Sequence, residues 1–271
     1  MWGVHLKADP PPDAFLLSRL RPAVALADAG IPCVVWGEEA LAWIHGVPTY
    51  TYQTLHLLVP LPHLHSASIT LTRALPDYAP DDPAADYRIP PWVFSVGEKE
   101  TFKARAQFPN GSPLSVRLTH TRFASVVEDP LGYRNTGTLD HILLTPDSFF
   151  HLSATDPASL VSLPPSTPPS LSIVRFPSLP TMYDALFSTI NAPERPEYST
   201  WLWQQLRTYL AYLHLYCFSE YVKGWYKELE DLPEPIREVG LALRPENQAR
   251  FWKMWLRDEP YSDDSDSDDD W

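Results

Sequence analysis

Two adjacent carboxylates, Glu38 and Glu39, follow directly on Gly37 in the run VVWGEEALAWIHG. Paired carboxylates can divide general acid and general base work, or hold a metal ion, if the fold aims them at one point. Neighbours in sequence point in different directions, however, and a glutamate pair after a glycine also suits the first turn of a helix, where the macrodipole favours negative charge. His63 and His65 flank Leu64; on a strand they would share a face and could bind a metal, but no Cys or carboxylate cluster lies near them. His120 reads as a half-exposed strand histidine in preference to a ligand or base. Asp129 and Asp140, each a candidate third carboxylate of a metal site, read without companions as a turn residue and a strand-edge residue. Cys33 and Cys217, the only cysteines, make neither a disulfide framework nor a zinc cluster and read as small buried apolar residues. The chain has no Walker phosphate loop, dinucleotide glycine fingerprint, nucleophile elbow or His-Glu-x-x-His helix. No catalytic residue, metal ligand or cofactor is expected from these patterns.

The elements that would position these groups can be read from periodicity and punctuation. Residues 13–29 form an amphipathic helix: Asp13 can cap it, Leu16, Leu17, Leu20, Val24 and Leu26 supply contacts, and Gly30 ends it. Residues 31–36 are an apolar run between Gly30 and Gly37, as expected for a strand buried on both faces. Ala40, Leu41, Ile44 and His45 share a face of the next helix, which Gly46 can terminate before Pro48. Residues 54–59 make a second apolar strand, stopped by Pro60 and Pro62. A helix at 63–74 and a proline- and aspartate-rich loop at 76–91 follow. The middle is β-like, with short strands at 92–96 and 101–108, a hairpin signal at Asn110-Gly111, and strands in 114–127 and 139–144. The prolines of LPPSTPPSL predict an extended spacer, with 171–176 available as an edge strand. A short helix at 180–190 and a long one at 200–227 come next. Leu202, Leu206, Tyr209, Leu213 and Tyr216 form a 3.6-period stripe on the long helix, and further aromatics widen it. Pro233 and Pro235 break the chain, and Pro245 opens a last helix on which Phe251, Trp252, Trp255 and Leu256 pack.

The strand, the glycine turn, the helix and the second strand resemble the opening of the nucleotidyltransferase fold of the DNA polymerase β-like superfamily. In that family a first strand runs into Gly-Gly or Gly-Ser at a helix start, and a second strand carries Asp-x-Asp. Gly37 and Ala40 match the turn, and His45, Gly46, Pro48 and Thr51 match the link to the second strand. The resemblance implies that backbone N–H groups of the turn receive a triphosphate and that the two aspartates hold metal ions for phosphoryl transfer. Here Glu38 replaces the second Gly or Ser. The Asp-x-Asp falls on Gln53 and Leu55, or on Thr54 and His56 with one residue bulged, so neither register supplies a carboxylate. Gly37, Glu38, Glu39, Thr54 and His56 are therefore vestigial nucleotide-binding candidates, with Glu38 repelling a phosphate.

The expected fold class is α+β: a small mixed sheet with packed helices, nucleotidyltransferase-like, followed by a helical C-terminal region. The expected divisions are a core at 1–152, a proline-rich linker at 153–179, a helical region at 180–257 and an acidic disordered tail at 258–271. The expected function is that of a catalytically inactive nucleotidyltransferase-like protein acting by binding. The alternatives are an active transferase with a non-standard metal site, or an unrelated intracellular scaffold docking through its aromatic helix.

Composition fits a folded chain of 271 residues with 44% hydrophobic content. Its 30 prolines are about twice the usual ~5%. The formal net charge is −13; the last 14 residues hold eight acids and no Lys or Arg, and without those eight the remainder stands at −5. Nucleic acid is thus not the expected partner. A protein partner is expected at the aromatic helix 200–227 or the acidic tail, where Ser265 and Ser267 each precede an aspartate by three residues, as in acidophilic kinase sites. Any nucleotide binding is expected to be weak. The start MWGVHLKADPPPD does not read as a secretory signal, and no apolar run of about 18 residues suggests a membrane span. Cytoplasm or nucleus is the expected location.

Overall fold

The computed structural model describes residues 13–48, 54–80, 116–121, 139, 141–192 and 200–256. They form a mixed α+β structure, with a five-stranded sheet and a helical C-terminal region. Its first part runs α1 (Asp13–Asp28), β1 (Val34–Trp36), α2 (Glu38–Trp43), β2 (Thr54–Val59) and α3 (Leu64–Ala74). β3 (Tyr78–Pro80), β4 (Val116–His120) and β5 (His141–Pro146) complete the sheet. The spatial order is β1-β2-β5-β4-β3. β1 runs antiparallel to β2, with Val34 opposite Leu58 and Trp36 opposite His56. β2 and β5 are parallel, and β4 and β3 continue antiparallel.

Alternation sorts the strands' side chains onto two faces. Val35, Leu55, Leu57, Ile142 and Leu144 point to a core shared with α1 and α3. Val34, Trp36 and Leu58 point the other way, into a core shared with the C-terminal helices. Both expected apolar strands therefore form and pair, although β1 is only its last three residues. α2 serves both layers: Leu41 enters the core of the C-terminal helices, and Ala40 that of α1 and α3.

Residues 153–179, expected as an extended spacer, pack instead. Their prolines open 3-10 turns, which need no N–H from the first residue, at Pro157 and Pro169. Leu163, Leu171, Val174 and Phe176 are buried against the sheet and α1 side. β6 (Leu160–Val161) pairs with β7 (Phe176–Pro177). Just before β7, the Arg175 carbonyl accepts the Val35 N–H at 2.8 Å. The segment thus covers the outer edge of β1, which would otherwise offer unpaired backbone groups, as the expected edge strand would have done.

The C-terminal part contains α4 (Leu179–Ile190), α5 (Thr200–Tyr212), α6 (Glu234–Ala242) and α7 (Pro245–Trp255). The helix expected to reach Lys227 stops earlier: α5 widens into a π-turn at Leu213–Cys217 and ends at Phe218. Phe218 turns into the core, edge-on to Trp255 with centroids 5.5 Å apart. Pro245 takes the first turn of α7, as its sequence position predicts. The Asp184 carboxylate on α4 accepts the Arg244 backbone N–H at the start of α7, with both oxygens at 3.1 Å, and the Asn247 amide at 2.8 Å. Asn247 is wholly buried and its amide also meets Ser188 Oγ at 2.9 Å, so truncation removes one buried, charge-assisted bond there together with the acceptor for the Arg244 N–H. Asp184→Ala should cost about 2–3 kcal/mol in urea unfolding, and a change below about 0.5 kcal/mol would show that the α4–α7 contact does not hold the helices together.

Among the described residues no helix is long and apolar enough to cross a membrane. The expected strands at 92–96 and 101–108, the Asn110-Gly111 turn, Asp129, Asp140 and the acidic tail lie outside the described residues.

Candidate functional site

The site is built where β1 turns into α2. Gly37 has φ 71° and ψ −136°, a backbone region that glycine adopts without strain. Trp36 pairs with His56, so the turn lies at the Thr54 end of β2. Glu38 and Glu39 open α2 as the macrodipole favours, but their side chains part at once.

Glu38 reaches the C-terminal helices. Its Oε1 accepts the Gln205 amide at 2.8 Å and the Tyr209 hydroxyl, both from α5. Gln205 also donates to the Tyr209 oxygen at 2.6 Å. A side chain at Gly37 would bring its first carbon to 3.4 Å from that same hydroxyl. Tyr209 thus stands over the glycine turn.

Glu39 faces the opposite layer. It is 2% exposed and pairs with the Arg19 guanidinium from α1, also buried. The Trp43 indole N–H donates to its other oxygen. Burial raises the Glu39 carboxyl above its ordinary range, and the Arg19 charge works against that shift. Glu39 is a structural ion pair, separated from any chemistry on the Glu38 side.

Thr54 is half-buried at the start of β2. His56, two residues on, hydrogen-bonds Thr145 Oγ1 on β5 through Nε2 at 2.9 Å and meets Phe150 edge-on at 5.6 Å. Burial depresses its pKa to about 4, so it is neutral near pH 7. The parallel register places His141 opposite Thr54 and Leu143 opposite His56. His141 Nδ1 bonds Thr119 Oγ1 at 3.0 Å. None of Thr54, His56, His141 and Leu143 carries a carboxylate.

Other sequence candidates disperse. His63 and His65 are exposed, in a 3-10 turn and at the start of α3, so they share no strand face. His120 is buried, not half-exposed, with Tyr78 edge-on at 4.9 Å, because β3 pairs beside it. Cys33 is buried and Cys217 half-buried, and desolvation pushes each thiol up to about 12, far from a reactive thiolate. Among the described residues no group of three or more His, Cys, Asp or Glu could hold a metal ion.

Sequence reasoning missed Gln205 and Tyr209. Their spacing of four puts them on one helical face, a usable signal, but Tyr209 reads as plain core packing. Arg19 carried a clearer sign: it sits three residues after Leu16, on the buried stripe of α1. A search of known proteins finds no protein family, no curated protein and no solved structure that matches this chain.

Proposed function

We propose that this chain is a nucleotidyltransferase-like protein without catalytic activity, acting by binding. The observation that carries this reading is the closure of the glycine turn by the protein's own side chains: Glu38 occupies it with a negative charge, and Tyr209 and Gln205 hold that carboxylate in place. Support for the fold comparison comes from the paired β1 and β2 strands with α2 between them, and from a third strand, β5, beside β2. Support for inactivity comes from Thr54 and His56 on β2 and their partners His141 and Leu143 on β5. Neither strand presents a carboxylate pair toward the turn.

The test is incubation with labelled nucleoside triphosphates and Mg²⁺ or Mn²⁺. No transfer is expected to protein, nucleic acid or small hydroxyl acceptors. Transfer that vanishes in Glu38→Ala, in protein that remains folded by circular dichroism, would overturn the inactive reading. Glu38 is the right position for this control, because Glu39→Ala would act through stability.

A further inference from the structure

The core of the helical region closes around four aromatic side chains. Tyr183 from α4 meets Phe251 from α7 edge-on at 5.1 Å and lies 6.4 Å from Phe218. Trp255, one turn after Phe251, lies 5.5 Å from Phe218 and 6.5 Å from Phe251. Tyr183 and Trp255 thus each contact both phenylalanines. All four are at most 3% exposed. Phe218 follows directly on the π-turn at Leu213–Cys217, and His214 within that turn lies against Trp255 at 4.2 Å. Turns of this kind are rare and frequently mark functional positions.

Two polar atoms are carried into this apolar setting. Among the described residues, neither the Tyr183 hydroxyl nor the Trp255 indole N–H has a hydrogen-bond partner. Protein interiors pair such groups with other protein groups or with internal water, because an unpaired buried donor costs stability. The Cys217 thiol is already committed, donating to the His45 carbonyl at 3.6 Å. Desolvation, and then Cys217, raise the Tyr183 pKa well above its ordinary value, so the group stays a neutral hydroxyl that can donate and accept. The indole can only donate. A neutral donor and a neutral hydroxyl give a buried ion no counter-charge, but they suit a small molecule that both accepts and donates.

We propose that Tyr183 and Trp255 together hold an internal water molecule in the aromatic core beside the π-turn. The indole N–H donates to the water oxygen, and the water and the Tyr183 hydroxyl share a second hydrogen bond. A buried water needs roughly two to four polar partners, and these two groups meet the lower bound. The Tyr183 hydroxyl is then a binding group, which a phenylalanine at that position could not supply. The site lies in the helical region and shares no residue with the glycine turn, so a nucleotide-transfer result leaves it untouched.

The experiment is nuclear magnetic resonance on the full chain carrying isotope-labelled tryptophan. The Trp255 indole signal is assigned by its loss in Trp255→Phe. A rotating-frame Overhauser cross-peak between that indole proton and water is expected. It should vanish in Tyr183→Phe, which keeps the ring but removes one of the water's two anchors. Urea unfolding gives a second readout with a sign. If the hydroxyl binds water, Tyr183→Phe should lower the midpoint, by roughly 0.3–0.5 M for one lost hydrogen bond. If the hydroxyl is buried without a partner, the same variant should raise it, because the cost of desolvating that group is relieved. An unchanged or raised midpoint, or no cross-peak from the indole to water, would overturn the proposal. A cross-peak that persists unchanged in Tyr183→Phe would also overturn it, by placing the water on Trp255 without Tyr183.

Discussion

Glu39→Ala should destabilise the protein by about 3–5 kcal/mol, the range seen when one partner of a buried ion pair is removed. The cause is the residue left behind. The Arg19 side chain is 4% exposed, and without the Glu39 carboxylate its buried charge loses the ion pair and hydrogen bond it makes through Nε. The Trp43 indole N–H loses its acceptor in the same step. Natural domains are stable by only ~5–15 kcal/mol, so the variant would stand near the margin. Urea unfolding should show a midpoint lower by roughly 1–2 M, given a slope of about 2–3 kcal/mol per M. Replacing both partners together, as Arg19→Met with Glu39→Leu, should restore most of the loss, because an apolar pair of similar volume avoids burying charge. A single variant within about 1 kcal/mol of the parent would mean that water reaches the pair. The same reasoning removes Glu39 from the list of catalytic candidates: its carboxylate is committed to α1.

The layout around this pair shows what the sequence could convey. Strand runs bounded by Gly30, Gly37, Pro60 and Pro62 predicted β1 and β2 because burial on both faces requires unbroken apolar residues, and the structure pairs them. The helices α1, α3, α4 and α7 were legible from caps, prolines and spacing. Two misreadings have a common source, since local pattern says nothing about long-range cover. The prolines of 153–179 suggested a spacer, but Leu171, Val174 and Phe176 found a sheet edge and a core to enter. The aromatic run after Tyr212 suggested continued helix, but Phe218 gains more by turning toward Trp255 than by staying in register. At the site, Gly37 and its acidic successor were visible in the sequence. The closure of the turn was not, because Glu38 and Tyr209 are separated by 171 positions. No local rule links residues so distant.

Lowering the pH from about 7 to about 4.5 should unfold this protein more readily, through histidines that the fold keeps neutral. Burial brings His45 and His56 from 6.5 to about 4. His45 Nε2 is buried with no hydrogen-bond partner, and the His56 ring is enclosed between Thr145 and Phe150. A base whose folded pKa is depressed stabilises the fold fully above its unfolded pKa. That contribution is lost as pH falls from 6.5 toward 4, because the unfolded chain then binds protons that the folded one does not. At 1.36 kcal/mol per unit, each histidine accounts for at most about 3 kcal/mol, reduced where the ring edges reach the surface. His151 shifts in the same direction, mainly by desolvation and then by Arg244. Glu39 opposes the trend: its raised pKa favours the fold in acid and loses that contribution as pH rises through its folded value. The histidines outnumber it, and their window lies mostly above the ordinary carboxyl range. Urea midpoints measured from pH 7.5 to 4.5 should therefore fall steadily. In His56→Gln, which keeps a polar group facing Thr145 but cannot take up a proton in this range, the fall should be clearly shallower. A parallel pair of curves would place the titrating groups elsewhere, and a flat parent curve would show that water already reaches both rings.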